Sequence, residues 1–392
     1  MARALRLAAH GLYTTQPNPR VGCVIAHGSE VAGEGFHARA GEPHAEAHAL
    51  HAAAARARGA TAYVTLEPCA HHGRTPPCAD ALLQAGVARV VAACEDPDPR
   101  VAGQGLARLR AAGIAVDAGL LREAARELNR GFFSRVERGR PWVRIKLAVS
   151  LDGRTALAGG ESKWITGAAA RADVQHWRAC SSAILTGSGT ARADDPRLTV
   201  RLDPSVLRGD DAGAAQCGGS REDPSADVLQ GGEQRTAAPV PPLRVVLDAR
   251  LDALPPDAHL LDASAPTLIL HAADARPQHA GYARAECAAL PLRAGRIDLH
   301  AALALLAARG CNELQVEAGA TLAGALLAHG LADELLLYIA PVLLGDTARP
   351  MLRLPPLEAM AARWHLHTTD QRMLGQDWRL LLRAVPRAPH PP

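Results

Sequence analysis

The sequence predicts a two-domain α/β protein, and three observations carry that prediction. At 392 residues the chain is long for one compact core and suits two domains. Short apolar runs alternate with Ala/Leu/Arg-rich helical patterns, the order that lays helices over the faces of a sheet. In "RGRPWVRIKLAVSLDG" a helical pattern ends and a strand pattern begins around Pro141, which suits a boundary near 138–141. The expected domains are 1–140 and 141–385.

The elements follow in order. "MARALRLAAHG" is a short amphipathic helix, too short and too polar for a signal peptide. "VGCVIAHG" and "EVAGEGFH" read as two strands turning at Gly28-Ser29, and "HAEAHALHAAAARARG" as a helix stopped by Gly59. "ATAYVTLEP" is a strand ending at Pro68, and "CADALLQAG" a helix stopped by Gly86. The strand "ARVVAAC", helix "GLARLRAAG", strand "IAVDAG" and helix "LREAARELNRGFFSRVE" complete the first part. In the second part the strands are "WVRIKLAVS", "SAILTG", "LRVVLDA", "PTLILH", "NELQVE" and "ELLLYIAPVLL", with helices between several of them. Asp203 to Pro242 lacks an apolar period and is rich in Gly, Asp, Ser, Gln and Pro, so a mobile surface insertion (203–242) with Cys217 as a lone thiol is expected. The final "RAVPRAPHPP" reads as a frayed tail.

Composition narrows the function. A hydrophobic fraction of 48% with 21% charged residues is that of a soluble globular protein. Aromatics make up 3% and the net charge of +3 is not gathered into a block, whereas nucleic-acid grooves combine clustered cations with stacking aromatics. No apolar run approaches a membrane span. Eight cysteines in so long a chain are too sparse for a disulfide scaffold, which points to a reducing cytoplasm. Lysine is represented by Lys146 and Lys163 alone, a bias ascribed to nucleotide composition.

One constellation carries chemistry. "GEPHAEAHAL" sets His44 and Glu46 two apart at a helix start, and "EPCAHHGRTPPC" adds Cys69 and Cys78. One imidazole and two thiolates can hold zinc with the fourth position left to water, whose pKa the metal lowers. Glu46 would then carry protons and not bind the metal. Both His44 and Cys78 open helical patterns after proline, where the helix terminus favours negative charge. Two other readings compete. His44 and His48 resemble H-E-x-x-H, but Ala45 stands where the glutamate belongs. A structural zinc knot would need a fourth ligand, which His71 or His72 would supply. The residues between the cysteines form a substrate loop, with Arg74 and Thr75 expected on the ribose-phosphate side.

In the second part, "ELQVEAGATLAGALL" gives a strand, Gly319 and a helix start, a weak phosphate cradle. It is not the dinucleotide fingerprint, since no G-x-G-x-x-G follows the first strand. Lys146 and Asp152, in "IKLAVSLDG", are expected to wall an active site, with a structural ion pair as the alternative.

Taken together, "PNPRVGCVI", "GEGFHARAGEPHAEAHAL", "AYVTLEPCAHHGRTPPC", "KLAVSLDGRTA", "GESKWIT", "ADDPRLTVR" and "VEAGATLAGALL" resemble the bifunctional riboflavin-biosynthesis deaminase–reductase family over nearly the whole chain. The resemblance implies a cytidine-deaminase-like α/β/α layer domain followed by a dihydrofolate-reductase-like α/β domain. It implies zinc-dependent deamination of 2,5-diamino-6-(5-phosphoribosylamino)pyrimidin-4-one, then NADPH-dependent reduction to 5-amino-6-(5-phosphoribitylamino)uracil. His44, Cys69 and Cys78 would bind Zn2+, Glu46 would be catalytic, and Asn18 and His37 would touch the pyrimidine. NADPH would lie against Ala148, Trp164, Thr190, Asp194 and the run Gly319, Ala320, Thr321, Leu322, Ala323, Gly324 and Ala325. The phosphorylated substrate would meet Ser162, Arg178, Leu198, Arg201 and Glu317, with Lys146, singled out above from the residues themselves, as a further expected substrate contact. A cytoplasmic homo-oligomer without nucleic-acid or membrane partners is expected. Ala320 stands where the family suggests proline, the 203–242 insertion looks longer than usual, and the chain starts directly at the first helix, so upstream residues are either missing or unnecessary. The alternatives are a zinc deaminase of free bases or RNA with a binding domain appended, and a zinc-stabilised module without catalysis.

Overall fold

The computed structural model describes residues 1–70, 76–202 and 238–385. They form two compact units, residues 1–140 with 238–240, and the remaining described residues from 141 onward.

In the first unit, α1 (Ala2–Ala9) buries Ala4, Leu7 and Ala8 on one face. β1 (Gly22–His27) and β2 (Glu30–Phe36) pair antiparallel around Gly28, whose φ of 58° is a turn conformation that glycine adopts freely. α2 (Ala45–Ala53) is shorter than its helical pattern because Ala54 takes φ 48°, and a 3-10 turn follows over Ala54–Ala57. Then come β3 (Thr61–Val64), α3 (Cys78–Ala85) ended by left-handed Gly86, β4 (Arg89–Ala92), α4 (Gln104–Ala111) and β5 (Ala115–Ala118). The last helical pattern breaks into α5 (Arg122–Leu128) and α6 (Arg130–Arg138). At the break, the Asn129 side chain accepts from the Arg20 N–H and donates to its carbonyl, a local alternative to helix continuation.

The sheet order is β2-β1-β3-β4-β5, antiparallel through β3 and parallel beyond it. Ile25, Val64, Leu82, Val90, Leu106 and Leu109 are fully buried between sheet and helices, each worth about 1.5–3 kcal/mol against exposure. Close approach of α2 to β2 depends on glycine: a Cβ at Gly35 would stand 2.4 Å from the His48 Cβ and 2.8 Å from the Ala45 carbonyl oxygen. That contact sets the height at which α2 presents its first turn.

The second unit begins with β6 (Trp142–Ser150), β7 (Arg154–Ala156), α7 (Ala168–Ala179), β8 (Ala183–Gly187) and α8 (Ser188–Asp194). It continues through β9 (Leu243–Leu247), β10 (Thr267–Ala272), β11 (Glu286–Leu290), β12 (Leu292–Arg293), β13 (Arg296–Ile297) and α9 (Leu299–Ala308). It closes with β14 (Glu313–Val316), α10 (Ala320–Ala328), β15 (Glu334–Ala340), β16 (Arg349–Pro350), β17 (Leu366–Leu374) and β18 (Asp377–Ala384). Nine strands form one sheet, β11-β10-β9-β8-β14-β6-β15-β18-β17, parallel through β15 and antiparallel in the final hairpin. The strands bury both faces by alternation: Leu185 and Val245 join the core with α9 and α10, while Ile184 and Val246 join Leu260 and Leu261 opposite.

One expectation changes here. Arg383 and Ala384, read as tail, pair with Glu334 and Leu366 inside β18; the polar β17 masks the hairpin in sequence. The expected insertion lies largely in 203–237, outside the described residues, as do Cys217 and 386–392. A further feature has no sequence signal: Arg144 is wholly buried in β6, bridging Glu313 at 3.0 Å and Glu334 at 2.7 Å across the neighbouring strands. Removing one member of such a buried set costs about 3–5 kcal/mol, because a charge is left unpaired.

Candidate functional site

The first unit gathers its chemistry where three chain segments converge. His44 caps α2, Cys69 follows β3 after Pro68, and Cys78 opens α3. Their ligand atoms all lie within 4.8 Å of one another, and among the described residues they are the group suited to a metal ion. The His44 Nδ1 is 3.3 Å from the Cys78 Sγ and 3.6 Å from the Cys69 Sγ. One imidazole and two thiols at this spacing match zinc's preference for nitrogen and sulfur, and the described residues add no fourth ligand to the three. The Cys78 backbone N–H donates to the Cys69 Sγ at 3.3 Å, so the start of α3 stabilises negative charge on that sulfur. Cys69 is drawn down to about 4, chiefly by its hydrogen bond with the Cys78 thiol, while Cys78 is pushed up chiefly by that same side-chain bond. The pair thus holds one proton that a bound cation would expel.

Glu46 lies in the first turn of α2, 3% exposed, and burial raises its carboxyl to about 7. It shares a cavity of about 510 Å3 with His44, Cys69, Asn18 and His37. The His37 Nδ1 lies 3.1 Å from the Pro43 carbonyl, which can only accept, so Nδ1 carries the proton and Nε2 accepts from the Asn18 Nδ2 at 3.1 Å. Burial lowers the His37 pKa, in keeping with this neutral form. The Asn18 amide is thereby oriented with its oxygen left over as an acceptor. Sequence reasoning missed Glu67, whose buried carboxylate accepts from the backbone N–H groups of Asp96, Gly103, Gly105 and Leu106. It anchors the segment ahead of Cys69, and Gly105 lets α4 approach: a Cβ there would sit 1.9 Å from the Pro68 carbonyl. Arg74, Thr75, His71 and His72 lie outside the described residues.

The second unit carries a wide cavity of about 1660 Å3 over the strand ends where β8, β14 and β6 adjoin. Open parallel sheets bind ligands at such a place. Ala148, Trp164, Thr190 and Asp194 line it, as do Gly319, Ala320, Thr321, Leu322 and Ala325. Ala323 and Gly324 turn away: Ala323 joins the core, and a Cβ on Gly324 would meet the Arg353 carbonyl at 2.0 Å. Gly319 caps α10, and its N–H donates to the Thr190 Oγ1 at 3.2 Å. The amides of the first turn beyond it have no intrahelical partner by helix geometry. The Trp164 indole is largely exposed, with the Arg171 guanidinium 4.7 Å from its ring.

Lys146, Ser162, Arg178, Leu198, Arg201 and Glu317 also line this cavity. Arg178 lines the cavity with three of its N–H groups engaged, donating to the Glu317 oxygens at 2.7 and 2.8 Å and to the Thr199 carbonyl at 2.9 Å. Lys146 stands 3.8 Å from the same carboxylate. Burial opposes the Glu317 charge, but Arg178 and Lys146 outweigh it and hold the carboxyl well below the usual range. The Lys146 ammonium is lowered, chiefly by burial. Burial also lowers Arg201, with Arg178 and Arg197 adding like charge. Asp152 is not on the wall: it receives the Ser150 hydroxyl and the Leu344 and Gly345 N–H groups, tying a turn together.

Comparison with known proteins bears on both units. Residues 1–94 match the cytidine and deoxycytidylate deaminase zinc-binding region, and residues 141–379 match the RibD C-terminal domain. The chain is 47% identical to the riboflavin biosynthesis protein RibD of Escherichia coli (strain K12), over 96% of each chain. It is 45% identical to that of Haemophilus influenzae, over 97% of this chain and 95% of the relative. Among solved structures, Acinetobacter baumannii RibD is similar with a TM-score of 0.83 and 43% identity over 98% of both chains. A Thermotoga maritima diaminohydroxyphosphoribosylaminopyrimidine deaminase/5-amino-6-(5-phosphoribosylamino)uracil reductase gives 0.81 at 29% identity, over 98% of this chain and 97% of that one.

Proposed function

Because the chain belongs to the RibD family of bifunctional riboflavin-biosynthesis deaminase–reductases, we propose that its first unit carries the deaminase and its second the reductase. The substrate of the first is read as 2,5-diamino-6-(5-phosphoribosylamino)pyrimidin-4-one, losing its 2-amino group as ammonia. The second reduces the ribosyl group of the product to a ribityl chain with NADPH.

The observation that carries the deaminase is a buried carboxyl beside three convergent ligands. His44, Cys69 and Cys78 would hold zinc, which would supply Lewis acidity for the hydrolysis. Glu46, with a carboxyl near neutrality, would hold and move the protons of the reaction, serving as base toward the nucleophile and as acid toward the ring nitrogen and departing amine. The Asn18 oxygen, fixed through His37, orients the pyrimidine. In the second unit NADPH supplies the hydride. The first turn of α10 suits its pyrophosphate. Lys146, steadied by Glu317, faces the sugar as a donor, while Arg201 meets the phosphate. Arg178 positions Glu317.

Ammonia release from the diaminopyrimidine and NADPH oxidation on the deaminated product test the two halves. Release by Glu46→Ala at the wild-type rate would refute the first; no oxidation would refute the second. We further read the protein as a cytoplasmic homo-oligomer. All seven described cysteines are free thiols, and β17 leaves an open sheet edge with Leu366 and Met373 exposed. No helix among the described residues is long and apolar enough to cross a membrane.

A further inference from the structure

At one end of the large cavity stands a two-strand ribbon, β12 and β13, that the reaction as derived does not use. Arg293 and Arg296 lie directly opposite each other in its antiparallel register. Opposed residues of such a pair point to the same face, with their Cβ atoms about 4.5–5.5 Å apart, and like charges placed so repel. Both side chains are exposed and line the cavity. Among the described residues neither guanidinium has an acidic partner. The nearest carboxylate in sequence, Asp298, is committed to capping α9, where it accepts from the His300 and Ala301 N–H groups. The other titratable groups at this end are His300, on the wall, and His259, 3.5 Å from Asp195. A tight turn through Ala294 (φ 49°) and Gly295 (φ 71°) holds the two arginines in place. Two opposed, unpaired cations on a cavity wall are an arrangement that an anion relieves.

Sheet order says which anion. β13 lies against β10, and β10, β9, β8, β14 and β6 run side by side. The cavity takes Leu247 from the end of β9, Gly187 from the end of β8, Glu317 just past β14 and Lys146 from β6. Four spacings of ~4.8 Å separate the ribbon's side from Lys146, roughly 19 Å, a span that suits an extended dinucleotide and exceeds a single sugar phosphate. The substrate phosphate has Arg201 beside Glu317, and the pyrophosphate has the first turn of α10. What remains for the ribbon is the far, adenosine end.

We propose that Arg293 and Arg296 form a subsite for the phosphate monoester on the adenosine ribose, and so set a preference for NADPH over NADH. This rests on the reading of the second unit as an NADPH reductase. A monoester dianion can bridge both guanidinium forks with charge-assisted hydrogen bonds, whereas a ribose hydroxyl in its place leaves the repulsion standing.

The test is calorimetric titration of the full chain with adenosine 2′,5′-bisphosphate and with 5′-AMP, for wild type and Arg293→Gln/Arg296→Gln. Wild type is expected to bind the bisphosphate more than tenfold tighter than 5′-AMP. The double variant should lose that advantage, with 5′-AMP affinity unchanged. An unchanged bisphosphate affinity in the variant overturns the assignment, as does an equal loss for both ligands, which would place the arginines on the 5′-phosphate. Equal binding of the two ligands by wild type would instead defeat the underlying NADPH reading. Thermal melting of the variant at the wild-type temperature checks that the ribbon is intact.

Discussion

The three ligand atoms of the first unit lie within 4.8 Å and come from His44, Cys69 and Cys78, whereas the cavity of the second unit draws on side chains from Lys146 to Arg353. The small centre is assembled by helix starts: a capping histidine, a cysteine opening a helix, and glycines that let α2 press on β2. The large one is assembled by sheet order, from strands far apart in sequence that the parallel topology sets side by side. A site that fixes an ion needs short, stiff supports. One that holds two extended organic molecules needs breadth, and tolerates single losses better.

That contrast sets the size of the expected effects. Glu46→Gln should lower deaminase kcat by about 10^2–10^4-fold, with zinc content and reductase rate unchanged; loss of zinc would show Glu46 to be a ligand. Cys78→Ser should deplete zinc measured by atomic emission. Protons compete with the metal for the same three atoms, so zinc affinity should fall as pH is lowered in the wild type as well; affinity that rises on acidification would contradict the ligand set.

In the broad cavity the expected losses are smaller. Glu317→Gln should raise the reductase KM for the sugar phosphate about tenfold, worth ~1.4 kcal/mol, since Lys146 and Arg178 lose their common anchor. The same variant reports on stability. The folded Glu317 carboxyl binds its proton at lower pH than in the unfolded chain, so its contribution is present above the ordinary value of 4.5 and is lost as pH falls toward the folded one. Glu317→Gln should flatten that acid-side decline in denaturation curves. Asn18→Ala should cost least, about three- to tenfold in deaminase KM, with the spectrum of a cobalt-substituted centre unmoved.

Legibility followed the same contrast. His44, Glu46, Cys69 and Cys78 were readable because metal chemistry restricts residue types and each sits beside a proline or helix start. The α/β layering and most strands were readable from apolar periodicity. The break at Asn129 was not, because it depends on a side chain bonding Arg20 far away in sequence. Nor was Glu67, whose four backbone donors come from residues 96–106. The β17–β18 hairpin hid behind polar residues on an exposed edge. Resemblance rather than physics singled out Arg178, and the structure gives its fork to Glu317. An arginine-rich sequence does not say which arginines are already paired.

The central claim is that two chemistries occupy two separately built sites in one chain. It is tested most directly by stripping metal from the wild-type protein with a chelator and assaying both reactions on the same sample. The account predicts that ammonia release is lost and returns with added zinc, while NADPH oxidation on the deaminated substrate stays within twofold throughout. Undiminished ammonia release from metal-free protein, or loss of both activities together, would contradict it.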